Sequence, residues 1–229
     1  MYFCYTGGVD QEVKTKLSNF FQRGKILTYK KGEIIIRPED IPQGVYFVKN
    51  GYVRTYALLE DGREVVLTIA QHGGYFPVAW ALGNQPNHYY FEALSDTVLQ
   101  RVSKVEILEY LTANPDILFE LIKYITDCQD RLLIHIEKVL SGTSKQRVMA
   151  MLSILAGHFG EENKQSQTLI NIPLTHQDIA NLTCLTRETV SMHMSKLKKK
   201  KLLWYNYNQV LVDLPKLDKE LEKNTSANK

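Results

Sequence analysis

Leu174-Thr175-His176-Gln177-Asp178-Ile179-Ala180-Asn181-Leu182-Thr183-Cys184-Leu185-Thr186-Arg187-Glu188-Thr189-Val190-Ser191 reads as two short helices joined by a tight turn. Thr175 is an N-cap, because its hydroxyl can accept from an amide three residues on, and Asp178 stands there to bond back to the cap. Ile179 and Leu182 give the first helix its apolar side, Thr183-Cys184-Leu185 makes the turn, and Thr186 caps the second helix. In that helix Val190, Met194 and Leu197 are spaced four and three and share a buried face, which leaves Arg187, Glu188 and Ser191 on the opposite side of the first turns. The pattern predicts a helix-turn-helix with its recognition helix starting at Thr186.

The residue types suit DNA. Arg187 can fork to O6 and N7 of guanine and Glu188 can accept from N4 of cytosine, and both project from the turn that enters a major groove. Thr175, His176, Gln177, Thr186, Thr189 and Ser191, with the amides at the two helix starts, are placed to hold phosphates or flank the bases. Beyond them runs Lys196, Lys198, Lys199, Lys200 and Lys201, of which Lys196 and Lys199 are further candidate DNA contacts. Leu202 to Tyr205 and Gln209 to Val212 flank Asn206-Tyr207-Asn208 and predict a hairpin wing. Charge follows the same division: residues 1–144 hold 15 Lys and Arg against 17 Asp and Glu, residues 145–229 hold 13 against 8.

Upstream the pattern changes. From about Tyr29 to Arg101, Gly32 to Ile36, Val45 to Val48, Tyr52 to Leu59, Glu64 to Ile69, Tyr89 to Leu94 and Thr97 to Val102 read as short strands divided by turn signals such as Asp61-Gly62, the spacing of a small β-roll. Gly73 to His88 reads as a loop with a short helix. Ser103 can cap a helix through Leu111, and Asn114-Pro115 opens a longer one. Within it Leu118, Ile122, Ile125, Gln129, Leu132, Ile136 and Val139 alternate steps of four and three, a heptad seam that implies a partner helix. Ser141-Gly142-Thr143 ends it as a hinge, and Val148 to Phe159 predicts an amphipathic helix stopping at Gly160. The expected fold class is α+β, with a β-roll and flanking helices over 1–113, a dimerisation helix and hinge over 114–142, and a winged helix-turn-helix over 143–229.

Composition bounds the alternatives. With 229 residues, 44% hydrophobic and 23% charged, the chain can bury a core, and no apolar run reaches the roughly 18 residues of a membrane helix. The start, Met1-Tyr2-Phe3-Cys4-Tyr5, has no export signature, which points to the cytoplasm and away from the membrane. Cys4, Cys128 and Cys184 are far apart and predict free thiols, with no metal site. No Gly-x-Ser-x-Gly, His-Glu-x-x-His, phosphate loop or paired Cys appears, so an enzyme is not expected.

Thr-Arg-Glu-Thr-Val-Ser at 186–191, Asn-Pro-Asp-Ile-Leu at 114–118, and Gly-Tyr-Val-Arg with Asp-Gly-Arg-Glu in the roll resemble the Crp-Fnr transcription regulators over about residues 25–215. The resemblance implies a homodimer binding double-stranded DNA through a winged helix-turn-helix and acting with RNA polymerase. It implies an effector-binding roll and a dimerising helix, on which the heptad positions Leu118, Ile122, Ile125, Leu132, Ile136 and Val139 are the candidate dimer interface. By it Arg187 and Glu188 read bases, while Thr175, Gln177 and Thr186 contact phosphates. Two departures stand out: Met192 replaces a second Arg, and Cys184 replaces the usual turn Gly.

Cyclic-nucleotide-binding members carry a Phe-Gly-Glu element and an Arg-Ser pair. Here Gly74 to Trp80 and Asn87 to Tyr90 hold neither the Glu nor the Arg, so a cyclic phosphate would lack its counter-charge. An iron-sulfur cluster lacks its cysteines, and haem ligation by His72, His88 or Cys4 is disfavoured against a structural role. The effector is therefore unknown, and Tyr75, Phe76, Trp80, Tyr89 and Tyr90 form either an aromatic effector pocket or plain core. A rival reading is a ligand-sensing or protein-interaction module whose C-terminal domain does not bind DNA specifically. Burial of Arg187 against its own domain would favour that rival.

Overall fold

The computed structural model describes residues 3–4, 11–83, 85–163, 167–206 and 209–226. The chain divides into two units, one of Tyr2–Ala57 with Leu67–Leu132, the other of Met1, Leu58–Val66 and Leu133–Lys229.

In the first unit β1 (Phe3–Cys4) and α1 (Gln11–Phe21) precede a roll of β2 (Lys25–Tyr29), β3 (Ile34–Ile36), β4 (Val45–Asn50), β5 (Val53–Leu58), β6 (Glu64–Ala70), β7 (Tyr75–Phe76), the short helix α2 (Val78–Gly83), β8 (Tyr90–Ala93) and β9 (Thr97–Val102), of which the end of β5 and the start of β6, within Leu58–Val66, are counted with the other unit. One sheet runs β1-β6-β5-β8-β3, the other β2-β9-β4-β7. In the second sheet β9 is central, with Lys25 opposite Arg101 on one side and Val45 opposite Val102 on the other. Val48, Val53, Ala93 and Leu99 are fully buried where the sheets face each other. Gly51, at φ +87, is required by space as well as conformation, since a Cβ there would lie 2.5 Å from the Asp96 carbonyl oxygen. β3, β4, β5, β6, β8, β9 and α2 fall on the predicted segments, whereas β7 is a short strand inside the stretch expected as a loop with a short helix, and the sequence reading gives no strand for β1. The sequence reading did not delimit α1, which buries Val13, Leu17 and Phe21, or β2.

Two helices follow. Ser103 caps α3 (Lys104–Ala113) in a capping box with Glu106. Pro115 then opens α4 (Pro115–Ser141), 27 residues and so about 40 Å at about 1.5 Å per residue. Its early turns bury Ile117, Leu121 and Tyr124 in the roll core, with Leu118 and Ile125 half-buried beside them. Of the expected seam, Ile122 (48%), Gln129 and Ile136 (46%) are the exposed members, Leu132 and Val139 are half-buried, and Phe119, Leu133 and Leu140 stand exposed as well. The free apolar stripe is thus turned about one position from the predicted heptad, because the helix must also feed the roll.

The second unit is built on α5 (Ser144–Phe159), capped by Thr143 with Gln146 and burying Val148, Met149, Leu152 and Leu155. Then come β10 (Gly160–Glu162), β11 (Thr168–Ile170), α6 (His176–Thr183), α7 (Arg187–Lys199), β12 (Leu203–Asn206), β13 (Gln209–Val212) and α8 (Leu214–Ser226). The strands form one sheet in the order β10-β11-β13-β12. The expected loop from Glu161 begins instead as strand, β10 pairing Glu161 with Leu169. The sequence reading also gives no helix for α8, whose Leu217 is fully buried. Glu220 of α8 joins Lys145 Nζ at 3.1 Å and Lys200 Nζ at 2.7 Å, and Ser153 Oγ donates to Asp218 Oδ1 at 2.7 Å. The two lysines hold the Glu220 carboxyl down at about 2.

Candidate nucleic-acid interface

The two helices of the motif start where their caps require. Asp178 N–H donates to Thr175 Oγ1 at 3.2 Å and Thr175 N–H donates to Asp178 Oδ2 at 2.7 Å, which satisfies free amides at the first turn of α6. Thr186 accepts from Thr189 N–H at 3.3 Å and starts α7. Thr183, expected in the turn, instead closes α6, its buried hydroxyl donating to Ile179 O at 2.7 Å. The reversal falls on Cys184, which caps α6 in the left-handed conformation at φ 52 and ψ 41. The departure from Gly at this position is therefore a conformational cost carried by a side chain with a Cβ.

Val190, Met194 and Leu197 are buried as expected, and His193 joins them with Nε2 2.9 Å from Ser144 Oγ. Burial, with Lys196 and Lys145 nearby, lowers the His193 pKa. With that face fixed, α7 presents Arg187 and Glu188 to solvent and Ser191 half-exposed. Neither Arg187 nor Glu188 forms a salt bridge with a described residue, so neither is occupied in holding the helix. Thr175, Gln177 and Thr186 are exposed, His176 and Thr189 half-exposed. Gln177 Nε2 donates to Asn181 Oδ1 at 2.7 Å, and the Thr186 and Thr189 hydroxyls lie 3.0 Å apart, so these side chains are already oriented.

The lysine run separates into different environments. Lys196 and Lys199 are exposed, while Lys200 is tied to Glu220 and Lys198 Nζ lies 4.7 Å from the centre of the Tyr205 ring. At the end of α7, Lys201 takes φ 57 and Leu202 N–H donates to Leu197 O at 3.1 Å, a helix stop that usually recruits Gly.

The wing is the β12–β13 hairpin, with Tyr205 opposite Val210 and Asn206 opposite Gln209; the expected turn residues Tyr207 and Asn208 lie outside the described residues. Tyr205, missed by the sequence reading, meets His176 edge-to-face at 5.2 Å between ring centres and so ties the wing to α6. Its signal lay in the alternation of the hairpin, which puts it on the same side as Leu203. A groove of about 800 Å³ runs between Thr175, His176, Gln177, Arg187, Tyr205 and Asn206. Burial, then the Arg187 charge, lowers the His176 pKa and favours the neutral ring there.

In the first unit a cavity of about 260 Å³ is lined by Tyr75, Phe76, Trp80 and Tyr89 of the expected set. Tyr90 is the exception: it stacks on Tyr56 at 4.9 Å, while its strand neighbour Phe91 lines the cavity, as alternation along a strand requires. Tyr75 is also core, packed on Phe21 and Phe47, and burial pushes its phenol up. Among the described lining residues there is no Arg, Lys, Asp or Glu. His72 Nδ1 lies 2.8 Å from Lys49 O, His88 lines the cavity, and the Cys4 side chain lies outside the described residues. Among the described residues no helix is long and apolar enough to cross a membrane.

Comparison with known proteins agrees with this geometry. Residues 26–114 match the cyclic nucleotide-binding domain family and residues 146–220 the Crp-like helix-turn-helix domain family. The nitrogen fixation regulation protein FixK of Rhizobium meliloti is 30% identical over 179 residues, covering 78% of this chain and 77% of its own. The global nitrogen regulator of a Nostoc species is 24% identical over 190 residues, covering 82% and 85%. A solved CooA mutant from Carboxydothermus hydrogenoformans shares the fold at a TM-score of 0.75 and 23% identity, covering 89% of this chain and 90% of its own.

Proposed function

The chain belongs to the Crp-Fnr family, DNA-binding transcription regulators and not enzymes, and from that premise we propose that it reads a near-palindromic duplex site as a homodimer. Two copies of α7 would enter major grooves about one helical turn, roughly 34 Å, apart. The observation that carries this reading is the exposure of Arg187 and Glu188, without a salt bridge to any described residue, on the first turn of a helix whose opposite face is fully packed. Burial of Arg187 against its own domain would have favoured the rival module, and Arg187 is exposed. Arg187 and Glu188 are the base readers. Thr175, His176, Gln177, Thr186, Thr189, Ser191, Lys196 and Lys199 hold the backbone and fix the register.

The functional division is a roll over 1–113, the dimerising helix and hinge over 114–142, and the DNA-binding domain over 143–229. The apolar stripe of α4 is the dimer face, since isolated monomers rarely leave so many large apolar side chains along one helix in water. The cavity with Tyr75, Phe76, Trp80 and Tyr89 is the effector site. A lining without Arg or Glu supports an effector other than a cyclic nucleotide. The protein works in the cytoplasm, where its DNA is, and RNA polymerase is its partner at the promoter.

Selection of duplexes from a random pool by the full chain tests the reading. A palindromic consensus whose choice of base relaxes at one symmetric pair of positions in Arg187→Ala is expected. Recovery of no consensus, or one unchanged in Arg187→Ala, refutes it.

A further inference from the structure

Along α7, Arg187, Glu188, Ser191, Met192 and Ser195 follow one another at helical steps of one, three, one and three, and so form a single stripe opposite the buried Val190, Met194 and Leu197. Four of the five are polar. Met192 is not, and it is 45% exposed, the one large apolar side chain that the described part of α7 leaves in water. It lies one turn beyond Glu188, about 6 Å further along the axis at about 1.5 Å per residue, and so within about two base pairs of the pair that Glu188 reads.

A thioether side chain carries no hydrogen to donate and accepts only weakly, so it cannot tell bases apart by the donor and acceptor pattern of the groove. One feature of the major groove edge is apolar, the C5 methyl of thymine. We propose that Met192 is a specificity-determining residue that selects a thymine in each half-site by packing against that methyl. The proposal rests on the reading of α7 as a recognition helix. The unbranched chain with three rotatable bonds can settle against a methyl group, and the contact removes from water both the methyl and a side chain that the free protein leaves exposed.

The test is single-atom in kind. In the consensus selected by the full chain, each thymine is replaced in turn by deoxyuridine, which keeps every hydrogen-bonding atom and removes only the methyl. At one symmetric thymine pair, loss of the methyl should weaken binding about three- to fivefold per half-site, the worth of one buried methyl-sized group. At that pair Met192→Ala should be indifferent to the replacement, Met192→Leu should keep the response, and cytosine should be improved by 5-methylation. Because Met192 is exposed, the variants are expected to melt with the unmodified chain, which a thermal scan checks. The proposal is overturned if no thymine shows a uracil penalty that disappears in Met192→Ala. A consensus that responds to Arg187→Ala but shows no such thymine removes this proposal alone, whereas failure to select any consensus removes the recognition-helix reading with it.

Discussion

His135 Nε2 lies 2.8 Å from the main-chain oxygen of Leu182, so the late turns of α4 are bonded to one of the last carbonyls of α6. The ring is buried, and burial lowers its pKa from 6.5 to about 3. The unfolded chain therefore takes up this proton near the ordinary value and the folded chain only near the lower one. Stability due to His135 is complete above about pH 6.5 and declines as the pH falls towards about 3. The expected contribution is a loss of up to about 1.4 kcal/mol per pH unit within that window. Denaturant unfolding at stepped pH should show a shallower acid slope for His135→Gln than for the unmodified chain, and equal slopes would contradict the assignment.

Cys184 holds a left-handed backbone with a Cβ in place. Cys184→Gly should raise the unfolding free energy by up to about 1 kcal/mol, the conformational relief offset in part by lost packing of a half-buried side chain. Thermal unfolding measures it, and a lower melting temperature would mean that the thiol's packing outweighs the strain.

Leu133 and Ile136 are exposed on the stripe of α4. The double variant Leu133→Asp, Ile136→Asp should sediment as a folded monomer at concentrations where the unmodified chain is a dimer. A dimer that survives both charges would move the interface elsewhere.

Lys199 and Lys200 are neighbours in different environments, Lys199 exposed and Lys200 bonded to Glu220. Lys199→Ala should weaken specific and non-specific DNA binding alike and flatten the dependence of log K on log salt by about 0.9 for each phosphate left without its lysine. Lys200→Ala should leave that slope alone and cost a few tenths of a kcal/mol of stability, about 0.2 to 1, through its half-exposed bond to Glu220. Affinity at graded salt, beside a melting curve, separates the two.

Cyclic AMP or cyclic GMP should leave the melting temperature unchanged. A ligand at about 100 times its Kd would add roughly 2.7 kcal/mol, so a saturable upward shift is easily seen and would restore a cyclic nucleotide to the cavity.

The DNA-binding half is legible because its signals are local. Thr175 with Asp178 and Thr186 with Thr189 are caps written within four residues, and the buried face of α7 follows from spacing alone. The features hidden from the sequence depend on distant partners. Nothing around Leu217 announces a buried residue until α8 is set against α5, with Glu220 shared by Lys145 and by Lys200 just beyond α7. Spacing gives α4 one heptad seam, yet the helix serves two faces, and only the position of the roll decides that Leu118 turns inward. Adjacency groups Tyr90 with Tyr89, although alternation along β8 turns Tyr90 away from the cavity and Phe91 into it.

The place of β9 bears on how the chain can be made. β2 and β4 both lie against β9, with Lys25 waiting for Arg101 and Val45 for Val102. While the protein is being synthesised, no length short of about residue 102 can close the second sheet, and the apolar faces of β2 and β4 emerge well before their cover. Ends joined over such separations form slowly, whereas α6 and α7 can meet as soon as both have left the ribosome. A nascent or truncated chain stopped before β9 therefore carries unpaired strand edges and exposed apolar faces, and is prone to aggregate.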